Sequence, residues 1–276
     1  MRRSEAKPSR AAVEAPGLNP FTTRFARAAR AIAWRQLHVM FTKPSLFLPS
    51  LIFPLFFFAA FAGGLSAVSE APDFDYPNYT TFQYVFVLMQ SAVFGGVFTG
   101  FAIAADFEFG FARRMLLATH SRSALIAGYA MTALARALMV WAVVTVVALA
   151  TGAEITGSAG DLLGILVIAI LLNFAATCFA SGMAMRLRTL QAAPLIQLPA
   201  FLLIMTAPVY VPRDLIQGWV ATVAAGNPMT ALLEAGRNLV IGAPAETLLA
   251  LGVVAGLITV TITWARGGLR RAEAAG

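Results

Sequence analysis

The sequence predicts an all-α integral membrane protein with six transmembrane helices and an N-terminal interfacial amphipathic helix. Three observations predict it. Of the 276 residues, 59% are hydrophobic and only 12% charged, whereas soluble domains carry roughly 45–50% and about 25%. Six apolar runs approach or exceed the length of about 20 residues that a helix needs to cross a bilayer. The basic residues fall on one side of those runs, 17 of the 20 by count.

Residues 1–20, rich in Pro, Ala and charge, read as a flexible tail. They do not read as a cleavable signal peptide, because the first long apolar run begins only at Leu46. The next stretch, "FTTRFARAARAIAWRQLHVM" (Phe21–Met40), is patterned. On a helical wheel Phe21, Phe25, Ile32 and Val39 share a narrow sector, and Arg24, Arg27, Arg30, Arg35 and His38 lie opposite. That pattern predicts an interfacial helix over 21–43, with packing on a partner protein as the alternative. The apolar runs follow at Leu46–Ser66, Thr81–Ala105, Ser123–Ala150, Leu162–Met185, Leu190–Tyr210 and Thr247–Ala265. Backbone groups in lipid must be satisfied within the segment, so each run is read as a helix. Pro49 and Pro54 predict a kinked or late-starting first span, since each lacks an N–H.

Nine basic residues precede Leu46, from Arg2 to Lys43. Arg113, Arg114 and Arg122 lie between spans two and three, Arg186 and Arg188 between four and five, and Arg266, Arg270 and Arg271 after span six. Only Arg213 and Arg237 fall opposite, and Arg136 lies within a span. The positive-inside rule then puts both termini in the cytoplasm of a plasma-membrane protein, with 266–276 as a second tail. The net charge of +7 is therefore a topology signal, and a nucleic-acid partner is excluded by its distribution. A single Cys178 and two histidines, His38 and His120, supply neither a disulfide nor a metal site.

Membrane enzymes and ion-coupled carriers place ionisable groups inside the bilayer. Here the spans contain no acid, because Asp106 and Asp161 stand at span ends. Arg136 is followed by 14 uncharged residues, too few to cross alone, so it is expected in the inner half, snorkelling to the cytoplasm. A substrate or pairing role for Arg136 stays open. Gln90 and Asn173 are either interhelical hydrogen-bonders or lining of a path. No P-loop is present, and the two lysines, Lys7 and Lys43, lie in no such motif. The chain does not read as an enzyme and needs an outside source of energy.

Charge is scarce, yet "DFEFGFARRMLLATHSR" (Asp106–Arg122) gathers Asp106, Glu108, Arg113, Arg114, His120 and Arg122. The segment is longer than a turn requires, and its pattern suggests a short amphipathic helix, acid first and base last, that docks on a partner. A solvated loop with anchoring arginines is the alternative. Glu108-Phe-Gly110, Arg114-Met-Leu-Leu117-Ala-Thr119 and Ser121-Arg122 resemble the motif after the second span of ABC type-2 exporter permeases, of the daunorubicin-resistance and polysaccharide-export type. The stretch from Ala207 to Gly242, with Val211-Pro212, Trp219, Asn227-Pro228 and Arg237, is similar to that family's outer segment before the last span. Phe109, His120 and Ile216-Gln217 depart from the usual pattern.

The resemblance implies a permease domain over 21–265, with a coupling segment at 106–122 and an outer re-entrant segment at 211–242 before the last helix. It implies that Glu108, Gly110, Phe111, Arg113 and Arg114 meet a dimeric cytoplasmic ATPase subunit, which would bind ATP and Mg. It implies that Pro212, Trp219, Asn227 and Pro228 help close an outer gate, and that a second permease copy or a related permease completes the path. Gln90, Arg136 and Asn173 are the candidates for contact with substrate. The expected cargo is an amphiphilic drug-like or lipid molecule, which suits antibiotic resistance. Polysaccharide or glycolipid export is the alternative within the family, and an ion-coupled carrier the alternative outside it.

Overall fold

The computed structural model describes residues 20–72, 74–118 and 123–274, apart from the side chains of 20–22, 44–46, 113, 116–118 and 273. The expected tail at 1–19, and Asp73, His120, Ser121 and Arg122, lie outside the described residues. The chain runs α1 (Pro20–Thr42), α2 (Pro44–Gly64), α3 (Tyr79–Glu108), α4 (Phe111–Ala118), α5 (Ser123–Ala150), α6 (Ala159–Leu187), α7 (Ala193–Met205), α8 (Trp219–Gly226), α9 (Pro228–Val240) and α10 (Thr247–Ala274). Short 3-10 turns lie at Ser66–Glu70, Leu190–Ala192 and Arg213–Leu215.

Among the described residues, α2, α3, α5, α6 and α10 are the five helices long and apolar enough to cross a membrane. The fifth predicted span, Leu190–Tyr210, takes another form. Its α-helix has 13 residues, about 20 Å at 1.5 Å per residue, against a hydrocarbon core of about 30 Å. Pro194 sits in its first turn and Pro199 inside it. Pro208 disfavours helix in the residue before it, so the helix stops at Met205. The last span departs the other way, since α10 continues beyond Ala265 to Ala274 and makes most of the expected C-terminal tail helical. Ala265 and Ala272 are buried. Arg186 donates to the Trp264 carbonyl (2.9 Å) and Arg188 to the Arg271 carbonyl (2.7 Å), the latter satisfying a helix-end group that has no intrahelical partner.

α3 is the central helix: 83% of its most apolar stretch is buried, against 17% for α2 and for α10. The Asn78 side chain caps its start by accepting from the Thr81 N–H. Gly96 lets α6 come to backbone contact, since a Cβ there would fall 2.5 Å from the Ala176 carbonyl carbon and the Thr177 nitrogen. The Asn173 amide donates across that seam to the Ala92 carbonyl (2.9 Å). On the other sides Trp141 of α5 donates to Ser91 (2.9 Å), and Phe53 and Phe61 of α2 meet Phe94 edge-on and Phe86 at a tilt.

The buried stripe of α1 is Ala29, Ile32, Ala33, Gln36 and Met40. It packs on α5, where Gly128 makes room for Ile32. The predicted amphipathic helix is thus present, but α5 covers its inner stripe, while Trp34 is 72% exposed beside Arg27 and Arg30.

Two ends of the bundle are defined by contacts along α3, which is about 45 Å long at 30 residues. At its C-terminal end Glu108 accepts from the Leu190 N–H (2.6 Å) and the Thr189 hydroxyl (3.1 Å). At its N-terminal end Gln83 donates to the Val209 carbonyl (2.9 Å) and Tyr79 to the Tyr210 carbonyl (2.7 Å). That same end holds the α5–α6 turn, through Asn78 to the Gly152 carbonyl (3.0 Å). The Thr156 and Gly157 N–H groups of this turn donate to Val240 at the end of α9.

Candidate functional site

The charged stretch at the C-terminal end of α3 splits in two. Glu108 is the last residue of α3, Phe109 caps it, and Gly110 turns the chain with φ of +73°, a left-handed conformation that favours glycine. The α4 helix then starts at Phe111. The expected arrangement, acid early and base late in one helix, is therefore not what forms. Both acids stand at the negative end of the α3 dipole, where they are unfavourable unless compensated.

Each acid is compensated from a distant part of the chain. Glu108 binds Thr189 and Leu190, as described above, so its carboxylate is occupied within the chain. Asp106 takes a bidentate pair from Arg35, at 3.0 and 2.8 Å. It also accepts from the Gln36 amide (2.7 Å) and the Tyr129 hydroxyl. The hydrogen-bonded carboxylate raises the Arg35 pKa above its ordinary value, so the guanidinium stays charged. The same guanidinium lies over the Phe111 ring, 3.5 Å from its centroid. One carboxylate thereby clamps α1, α3 and α5 together, and Arg35 extends the clamp to the first residue of α4.

Of the predicted coupling residues, Gly110 makes the turn, Phe111 is held by Arg35, and Arg114 is exposed. The Arg113 side chain lies outside the described residues. Phe109, a departure from the expected motif, is 73% exposed. Sequence reasoning missed Arg35, Gln36 and Tyr129. The available signal was a carboxylate at a span end, which requires a cation once buried.

At the other end, Pro212 opens the 3-10 turn at Arg213–Leu215. Trp219 starts α8 and is exposed. Asn227 joins α8 to α9: its oxygen caps the Met229 N–H (2.8 Å), and its amide donates to the Leu203 carbonyl (2.7 Å) and Thr206 hydroxyl (3.0 Å). Pro228 occupies the first turn of α9. Arg237, an expected outer-side charge, is fully buried over the Phe82 ring (3.5 Å) and pairs with Glu234 (3.3 Å). Burial and then the charge of Glu234 push the pKa of the Tyr76 hydroxyl up to about 12.

The three path candidates are not brought together by any hydrogen bond. Asn173 is satisfied at Ala92, which is an interhelical tie. Gln90 is fully buried with both amide atoms unpartnered. Arg136 is 6% exposed on the inner face of α5 with Thr132, Ala133 and Val140, and its buried Nε has no partner among the described residues.

A protein-family model described as ABC-2 type transporter matches residues 27–241, from within α1 to the end of α9. No curated protein matches the chain.

Proposed function

The chain belongs to the ABC-2 type transporter family, and on that premise we propose that it is an exporter permease driven by a separate cytoplasmic ATPase, with α4 as the docking piece. The family is one of membrane permeases, so the chain is a transport subunit and not the enzyme that hydrolyses ATP. ATP and Mg belong to the partner. A second permease completes the path, and an amphiphilic drug-like or lipid molecule is the cargo, as in the daunorubicin-resistance branch. The observation that carries this reading is the clamp at Asp106. A short helix that must transmit force needs a rigid mount, and Arg35, Phe111 and the Glu108 tether supply one.

The working topology is six crossings with both termini in the cytoplasm. Support comes from the stretch after α6, which starts beside Glu108 and reaches Gln83 at Val209, the full working length of α3. A crossing by α7 completed by Thr206–Tyr210 accounts for both contacts. The α8–α9 pair is read as a re-entrant hairpin, in which Asn227 satisfies a carbonyl left free at the end of α7. On α1, the Trp34 face with Arg27 and Arg30 is the part that meets lipid headgroups.

The clean test uses residues that face outward. Arg114→Glu and Phe109→Asp in the tagged full chain should leave insertion and monodispersity intact. ATP hydrolysis co-purifying with the permease should fall at least about tenfold, a loss of roughly 1.4 kcal/mol in docking. If both variants keep the hydrolysis of the parent chain, α4 is not the docking helix.

A further inference from the structure

An apolar cleft of about 200 Å³ lies between α3, α6, α7 and α10, lined among others by Val97, Leu172, Ala176, Leu203, Leu257 and Thr261. Thr261 is its one polar residue, and that hydroxyl already donates to the Leu257 carbonyl (2.8 Å). A buried water needs two to four polar partners, so the lining selects an apolar occupant.

The faces that line this cleft continue toward the basic end of the bundle. On α6, Leu172, Ala175, Phe179 and Arg186 recur at helical spacing, and on α10 Leu257, Thr261, Trp264 and Arg271 do the same. Both stripes therefore end in arginine. The Arg186 guanidinium stacks on Trp264, 3.7 Å from the ring centroid, and donates to the Gly182 carbonyl (2.6 Å) as well as to Trp264. Its Nε is buried without a partner. The positive charge of Arg271 acts on Arg186, and Arg188 holds the Arg271 carbonyl. Among the described residues, ion pairs form at Arg35–Asp106 and Arg237–Glu234, both elsewhere, and none of the described carboxylates pairs with this cluster.

We propose that this seam binds one anionic phospholipid of the cytoplasmic leaflet, its phosphate at Arg186 and Arg271 beside Trp264 and its acyl chain in the cleft. The lengths agree. Arg186 stands ten residues from Ala176, about 15 Å along a helix, and half of a hydrocarbon core is also about 15 Å. Arginine supplies the planar fork that phosphate accepts, and a tryptophan at headgroup depth is the usual interfacial anchor. The inference rests on the bundle spanning a bilayer with its basic end in the cytoplasm, and not on the chain being an exporter.

The test is lipid retention. The full chain is reconstituted in equal phosphatidylglycerol and phosphatidylcholine and extracted in mild detergent, and its bound lipid is counted by native mass spectrometry. The parent chain should retain phosphatidylglycerol in preference. Arg271→Gln should cut that preference several-fold, Arg271→Lys should restore part of it, and Arg186→Gln with Arg271→Gln should abolish it. Leu257→Trp, which fills the cleft, should lose both lipids, while Leu249→Trp, exposed elsewhere on α10, should behave as the parent. Unchanged retention in Arg271→Gln or in Leu257→Trp overturns the site, as does equal loss from Leu249→Trp. Cross-linking of Leu257→Cys to a second copy overturns it too, because protein then covers the cleft. Arg271 is exposed, so its single variant decides the matter if the double variant fails to fold. Transport and ATP hydrolysis enter none of these measurements, so failure here leaves the exporter reading standing.

Discussion

At Asp106, four hydrogen bonds arrive from three side chains, two of them 70 and 71 residues away in sequence. Removing the carboxylate strands Arg35, whereas removing Arg35 strands a buried charge, and hydrogen bonds to charged groups are worth roughly 1.5–3 kcal/mol. Asp106→Ala should therefore lower stability by about 3 kcal/mol, read as thermal unfolding in detergent, and Arg35→Lys by less. The lysine keeps the charge but loses the planar fork and the stack on Phe111. Equal stability for Arg35→Lys and the parent chain would remove the fork from the account. Arg136 predicts the opposite sign. Among the described residues no carboxylate pairs with Arg136, and a buried charge without such a partner is a poor contributor to stability. Arg136→Leu should then match or exceed the parent in thermal stability while export falls, if its place is in the path. Export at the parent rate in that variant assigns Arg136 no transport role. None of this was legible from the sequence beyond the oddness of the residues. Helical periodicity says which residues share a face, but it does not say which distant arginine will meet a given carboxylate.

Individual elements were legible to the degree that lipid alone dictates them. Length and apolarity placed α2, α3, α5 and α6 within a few residues of their runs, because a run of that length has no other satisfied backbone conformation. Two helix ends differ from the ends of their apolar runs, for a shared reason. Charge marks where a chain leaves lipid, but backbone bonding decides where a helix stops. Prolines ended α7 early, and the Arg186 and Arg188 contacts carried α10 on past its first arginine. Packing between elements depends on close approach, which the sequence announces only as glycine. Gly96 and Gly63 look alike in sequence, yet a Cβ at Gly63 meets nothing within 4 Å, while one at Gly96 meets the α6 backbone at 2.5 Å. Gly96→Ala should cost about 1–3 kcal/mol or more by overpacking, whereas Gly63→Ala should be neutral or slightly stabilising. The reverse order in a thermal-shift comparison would show that α3 and α6 do not meet as described.

For the whole molecule, the number of crossings decides what the protein can do, because it decides which face carries the α8–α9 hairpin. Five long helices alone would put the outer segment and the α5–α6 turn on opposite faces of the membrane. The contacts argue otherwise: Thr156 and Gly157 in the α5–α6 turn donate to Val240 at the end of α9. The preceding chain, however, begins at the other end, where Leu190 meets Glu108. A chain that starts at one end of a bundle and finishes at the other has crossed an odd number of times. Both α7 and α9 pack on α3, but α9 meets it near the Gln83 end, at Phe82, Val85 and Met89, so in the proposed topology the crossing falls to α7. In a Cys178→Ala background, cysteines at Gln217 and Glu154 should therefore react with an impermeant maleimide from the same side, and one at Arg114 from the other. The basic asymmetry assigns the first side to the exterior. Labelling of Gln217 and Arg114 from one face would leave α7 outside the count of crossings and the hairpin on the ATPase side, where it could not serve as an outer gate.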